Sequence, residues 1–124
     1  MQEKVEHIKS DVIKNFFFNK EIPLEDLGGG VTRQVLAHNQ NLMVVKVNFE
    51  KGSVGSLHHH PHEQISYILD GEFEFSIGGH KEILRTGDTT YKQPDIEHGA
   101  VCLEKGSVLD IFTPMRKDFL GGEQ

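Results

Sequence analysis

The stretch Gln64-Ile-Ser-Tyr-Ile-Leu-Asp70-Gly71-Glu-Phe73-Glu-Phe75-Ser-Ile77 sets the period of the chain. Phe73, Phe75 and Ile77 alternate with Glu72, Glu74 and Ser76. In extended backbone these two sets take opposite faces, as in a strand with one side in water. Asp70-Gly71 separates this run from Gln64–Leu69, and an Asp-Gly pair between alternating runs predicts a hairpin turn. The same short period recurs on both sides, in Val31–His38, Leu42–Glu50, Lys81–Leu84, Thr89–Lys92, Ala100–Leu103 and Val108–Thr113. Met43, Val45, Val47 and Phe49 share one face. Turn residues punctuate the runs: Gly28-Gly29-Gly30, Lys51-Gly52-Ser53, Gly78-Gly79, Thr86-Gly87-Asp88 and Lys105-Gly106-Ser107. Short strands with regular turns and no helix between them predict an all-β sandwich or barrel. A Greek-key jelly roll removes most exposed edges and leaves an interior pocket.

Only the start of the chain departs from this pattern. Val5, Ile8, Val12 and Ile13 recur at helical spacing among charged residues, which predicts an amphipathic helix over residues 1–15. Residues 16–124 are then expected to form one β-barrel domain, in keeping with a length of 124 residues. The single Cys excludes a disulfide framework and any CxxC motif. A net charge of −6 argues against nonspecific binding to nucleic acid or an anionic membrane. No apolar run approaches the ~20 residues that span a bilayer. The charged start lacks the apolar core of a signal peptide, so a cytoplasmic protein is expected.

Histidine is in excess, with eight in the chain. Four of them stand at positions 58, 59, 60 and 62, in Gly55-Ser-Leu-His58-His59-His60-Pro61-His62-Glu63-Gln64. On an extended segment His58 and His60 point to one face and His59 to the other. Gln64 shares the parity of the pair, and the remote segment Gln93-Pro94-Asp95-Ile96-Glu97-His98 supplies one more His. Two His on one strand, an oxygen donor after them and a distant His make an incomplete metal shell that leaves room for water or substrate. Glu63, the better anionic donor, and His62 compete with Gln64 for the remaining position. A regular strand favours Gln64, and a bulge at Pro61 would reverse that.

These residues resemble the motifs of the cupin superfamily. His58-x-His60 with Gln64 and Tyr67-Ile-Leu-Asp-Gly71 is similar to the first motif, and Gly87-Asp88 through His98 to the second. There are departures: Gln64 replaces the usual Glu, while Gln93, Asp95 and Cys102 replace the Pro, Gly and Asn of the second motif. The resemblance implies a double-stranded β-helix with one divalent transition metal held by His58, His60, Gln64 and His98. Such a donor set could take Ni, Zn, Mn, Fe or Co. A narrower resemblance covers Phe17 to Leu120. Leu57–Tyr67, Asn41–Gly52 and above all Leu109–Leu120 are similar to the pectin-degradation cupins called KdgF. In that family Gln is the usual fourth ligand. The resemblance implies a metal-dependent conversion of 4,5-unsaturated monouronates, released by pectate or alginate lyases, to linear ketonised sugar acids. It also implies functional roles for Asp110, Phe112 and Arg116.

Read without the family, Val108, Asp110 and Phe112 share a face of the last strand, and Leu109, Ile111 and Thr113 share the other. Both sets are equally apolar, so periodicity leaves the side of Asp110 open. Facing inward, it is a candidate acid or base. Arg116 is a candidate bidentate clamp for a carboxylate, and Phe112 either covers a sugar face or fills the barrel. Two other functions fit the scaffold: a different metal cupin enzyme, such as a dioxygenase or sugar isomerase, and a non-catalytic sugar- or metal-binding module. The expected partners are a small sugar acid and a second copy of the chain as a homodimer.

Overall fold

The alternation in the sequence builds a barrel of antiparallel strands in the computed structural model, which describes residues 13–120. The strands are β1 (Glu25–Gly28), β2 (Val31–Asn39), β3 (Leu42–Phe49), β4 (Val54–His58), β5 (Glu63–Ile77), β6 (His80–Arg85), β7 (Thr89–Lys92) and β8 (His98–Thr113). Short 3-10 turns at Asn19–Glu21 and Lys117–Leu120 flank them. Residues 1–12 of the expected N-terminal helix lie outside the described residues, and 13–15 carry no regular secondary structure. No helix among the described residues is long and apolar enough to cross a membrane.

Two long strands organise the barrel. The sheet runs β1-β2-β3-β8-β5-β6, with β4 on β8 and β7 on β5. The second half of β8 pairs with β3 and with the first half of β5. Its first half pairs with β4 and with the second half of β5. Each long strand therefore serves both walls of the jelly roll.

This arrangement corrects one expectation. Asp70-Gly71 is no hairpin, because β5 runs straight through it, and β8 runs through Lys105-Gly106-Ser107. The two expected turns lie opposite each other and form a double irregularity where the strands bend from one wall to the other. Gly71 has φ +89, and a Cβ there would lie 2.7 Å from the Glu104 and Lys105 carbonyl oxygens. A Cβ on Gly106 would lie 2.1 Å from the Asp70 carbonyl oxygen. Asp70 closes the corner, its Oδ1 accepting from Ser107 N at 2.7 Å and Ser107 Oγ at 2.9 Å. Gly here permits close approach of two backbones instead of chain reversal.

Two apolar clusters fill the interior. One, Ile68, Phe73, Phe75, Cys102 and Val108, draws on strand segments from both sides of the corner. In the other, Met43, Val45 and Phe112 pack with Val35, Val47, Met115 and Phe119. Register sets polar residues in line with the second cluster: Asp110, Ser66 and Thr90 in a row with Val45, and Gln64 and Lys92 in a row with Met43 and Phe112.

Candidate metal centre

His58 ends β4 and His98 begins β8, and the two are cross-strand partners. Their rings stand 4.4 Å apart between centroids, and His60 lies 5.5 Å from His58 and 4.9 Å from His98. One nitrogen from each ring falls within 4.8 Å of the others. His60 and His98 are buried while His58 is exposed, so the cluster opens on one side.

Backbone carbonyls set the tautomers. The Ser56 carbonyl lies 2.7 Å from His58 Nδ1 and the Ile96 carbonyl 2.9 Å from His98 Nδ1. A carbonyl only accepts, so each Nδ1 carries the proton and each Nε2 keeps a lone pair. Burial holds His98 neutral, lowering its pKa to about 4 against the Ile96 hydrogen bond, with His58, Lys92 and His60 lowering it further. Burial also lowers His60, opposed by its contact with Gln64.

Gln64 stands beside the cluster, its Oε1 2.9 Å from His60 Nε2. Two ligands at ~2.1 Å from one ion in a right-angled arrangement stand ~3 Å apart. The rival donors sit elsewhere. Glu63 is exposed and accepts from the Tyr91 hydroxyl and Thr113 Oγ1. His62 packs 5.3 Å from the His60 ring, toward Phe112. His59 faces out, near Asp95. The chain bends at Pro61-His62, yet within β5 Gln64 is buried on the same face as Ser66 and Ile68 while Glu63 faces out. His98 Nε2 is buried with no hydrogen-bond partner. Such an atom costs ~1–3 kcal/mol, a penalty that ligation removes. The donor set and this orphaned nitrogen both fit a divalent transition metal.

Asp110 faces inward. With His58, Gln64, Ser66, Lys92 and His98 it lines a cavity of about 80 Å³, and Ser66 Oγ donates to its Oδ1 at 2.6 Å. Phe112, 2 % exposed, packs its ring against His60, His62 and Phe119. Arg116 stacks on Phe112 and Phe119, and its Nε and Nη2 grip the two oxygens of Asp118 at 3.1 and 2.8 Å. That grip holds the Asp118 carboxyl below its ordinary range. Sequence reasoning missed Lys92 and Ser66. Lys92 is buried and its Nζ donates to Ser66 Oγ and Thr90 Oγ1, each at 2.7 Å. Burial lowers its pKa to about 8, opposed by the charge of Asp110. The one available signal was parity: Thr90 and Lys92 share the face opposite Tyr91, a pattern that also fits a solvated face. A larger groove of about 360 Å³, lined by Phe17, Ile22, Val35 and Phe119 among others, contains none of the clustered histidines.

The pattern of the family described as Cupin domain matches residues 45–112. The pectin degradation protein KdgF of Dickeya dadantii (strain 3937) is 44% identical over 110 residues, which is 87% of this chain and 100% of that protein. KdgF from Halomonas sp. superposes with a TM-score of 0.82 at 40% identity, covering 86% of this chain and 99% of its own. An RmlC-like cupin from Shewanella frigidimarina gives 0.83 at 42% identity, covering 86% and 96%. An oxalate decarboxylase of Bacillus subtilis, at 20% identity and a TM-score of 0.73, shares the fold over 32% of its chain.

Proposed function

The chain belongs to the cupin domain family and, within it, to the pectin-degradation proteins called KdgF, and from that premise we propose that it ketonises 4,5-unsaturated monouronates. The observation that carries this reading is a cavity lined by His58, Gln64, His98 and Asp110 together, beside which His60 completes the histidine cluster. A divalent metal would be held by His58, His60, Gln64 and His98, and when bound it supplies Lewis-acid polarisation of a substrate oxygen.

The rest of the chemistry falls to the chain. The substrate carries a carboxylate, a C4=C5 enol ether and a C1 hemiacetal. Loss of the O1 proton and cleavage of the C1–O5 bond give a C1 aldehyde and a C5 enol. Protonation at C4 then yields the C5 ketone, and no electrons are exchanged with a second reagent. Arg116 takes the carboxylate in its planar fork, exchanging Asp118 for the substrate. Asp110 moves the proton on its Oδ2, since Ser66 engages Oδ1. Phe112 supports both Arg116 and His60. The cavity is smaller than the ~300 Å³ of pockets that enclose a whole ligand, so the sugar acid enters by one end. Residues 16–124 act as the single catalytic domain.

Gln64 is neutral where a carboxylate would complete the two-His, one-carboxylate set of iron oxygenases, which favours this redox-free reading. The test uses unsaturated monouronate from lyase digestion of polygalacturonate and follows loss of the conjugated double bond by ultraviolet absorbance. Acceleration by metal-loaded protein over the spontaneous rate is expected. An unchanged rate rejects the reading.

A further inference from the structure

The mechanism above leaves Lys92 unused, although its side chain is 1% exposed and sits in the wall of the reacting cavity. Its cross-strand partner is Gln64, and that of its neighbour Thr90 is Ser66. An ammonium has three donors and no acceptor. Ser66 Oγ therefore accepts from Lys92 Nζ at 2.7 Å, and its own hydrogen goes to Asp110 Oδ1 at 2.6 Å. Gln64 meets the same hydroxyl at 3.4 Å. Since the hydroxyl hydrogen is committed to Asp110, the group Gln64 presents must be its Nε2 amide, which turns Oε1 toward His60 Nε2.

We propose that Lys92 is a positioning residue that acts through Ser66. By fixing the hydroxyl's polarity it restricts proton exchange to Oδ2 of Asp110 and holds the Gln64 carbonyl oxygen toward the metal centre. The proposal rests on the ligand set and reaction given above. A plain packing role is a poor account of this side chain. Taking an ammonium out of water costs several kcal/mol, and an apolar residue of similar length would fill the space without that cost.

The test compares Lys92→Met, Ser66→Ala and the double variant with wild type. It reads metal affinity by competition with a chelator, thermal unfolding of the metal-free protein, and kcat and KM on unsaturated monouronate. Lys92→Met is expected to weaken metal binding about tenfold and to lower kcat by ~10–100-fold. KM should stay within about twofold and the metal-free Tm should not fall. The double variant should match Ser66→Ala within about threefold, because both changes cut one relay. Lys92→Met with metal affinity and kcat within twofold of wild type overturns the proposal. So do losses that multiply in the double variant, or a kcat that falls only with Tm. If Lys92→Met does not fold, Ser66→Ala decides alone, by the same loss of metal affinity and kcat or by its absence. A wild type inactive on the monouronate removes the reaction but leaves the metal-affinity comparison to judge the relay.

Discussion

His98 carries the clearest chemistry of any single residue. Its Nδ1 is tied to Ile96 and its buried Nε2 lacks a partner. His98→Ala is expected to weaken metal binding by at least ~100-fold, measured by chelator competition. Gln64→Ala should weaken it by ~10–100-fold, whereas Glu63→Ala should leave it within about twofold, since Glu63 faces Tyr91. Equal losses in both variants would contradict the assignment. In steady-state kinetics Asp110→Asn should lower kcat ~100-fold with little change in KM, and Arg116→Ala should mainly raise KM. Part of this site was legible from the His58-x-His60 spacing, and the histidines gather with His98 although the chain leaves the strand after His58 and bends at Pro61-His62 before β5. Asp110 was not, because the two faces of its strand are equally apolar. What turns it inward is pairing with Val45 and Ser66, both fully buried. Lys92 was invisible for a related reason: a charge on an alternating strand reads as solvent-facing, and only the closed barrel gives it hydroxyl partners.

Between elements, the β5–β8 crossing has the strictest geometry. Gly106→Ala would force Cβ to within 2.1 Å of the Asp70 carbonyl oxygen. It is expected to cost more than ~3 kcal/mol, read as a fall in the urea midpoint. Asp70→Ala removes two hydrogen bonds to Ser107 and should cost ~1–3 kcal/mol. A tight reversal at Asp70-Gly71 would instead make Gly106→Ala nearly neutral. Local sequence shows where φ is positive, but not whether the chain turns back or bends against a partner. Here the partner of Asp70 is Ser107, 37 residues away in sequence and beyond any local signal. β3 follows its alternation at Met43 and Val45, both buried, whereas β6 is exposed throughout except for Leu84.

Across the whole molecule, burial of titratable groups makes metal-free stability depend on pH. His98 sits at about 4 when folded against an ordinary 6.5. Between those values the unfolded chain binds a proton that the folded protein does not. The histidine contribution to stability should therefore rise from about pH 4 to 6.5 and be complete above that, with His60 and His62 shifted the same way. Urea midpoints across that range check it, and His98→Ala should flatten the rise. The net charge of −6 also bears on function. The proposed carboxylate substrate of so acidic a protein calls for a local positive site, which Arg116, Lys92 and a divalent cation held by the proposed donors would provide. The most direct measurement strips the protein with a chelator, titrates a divalent transition metal back, and follows decay of unsaturated monouronate absorbance at each addition. The account predicts that acceleration vanishes on stripping and returns in proportion to one metal per chain, and that His98→Ala abolishes both binding and acceleration. Full acceleration by the stripped protein, or by His98→Ala, would contradict it.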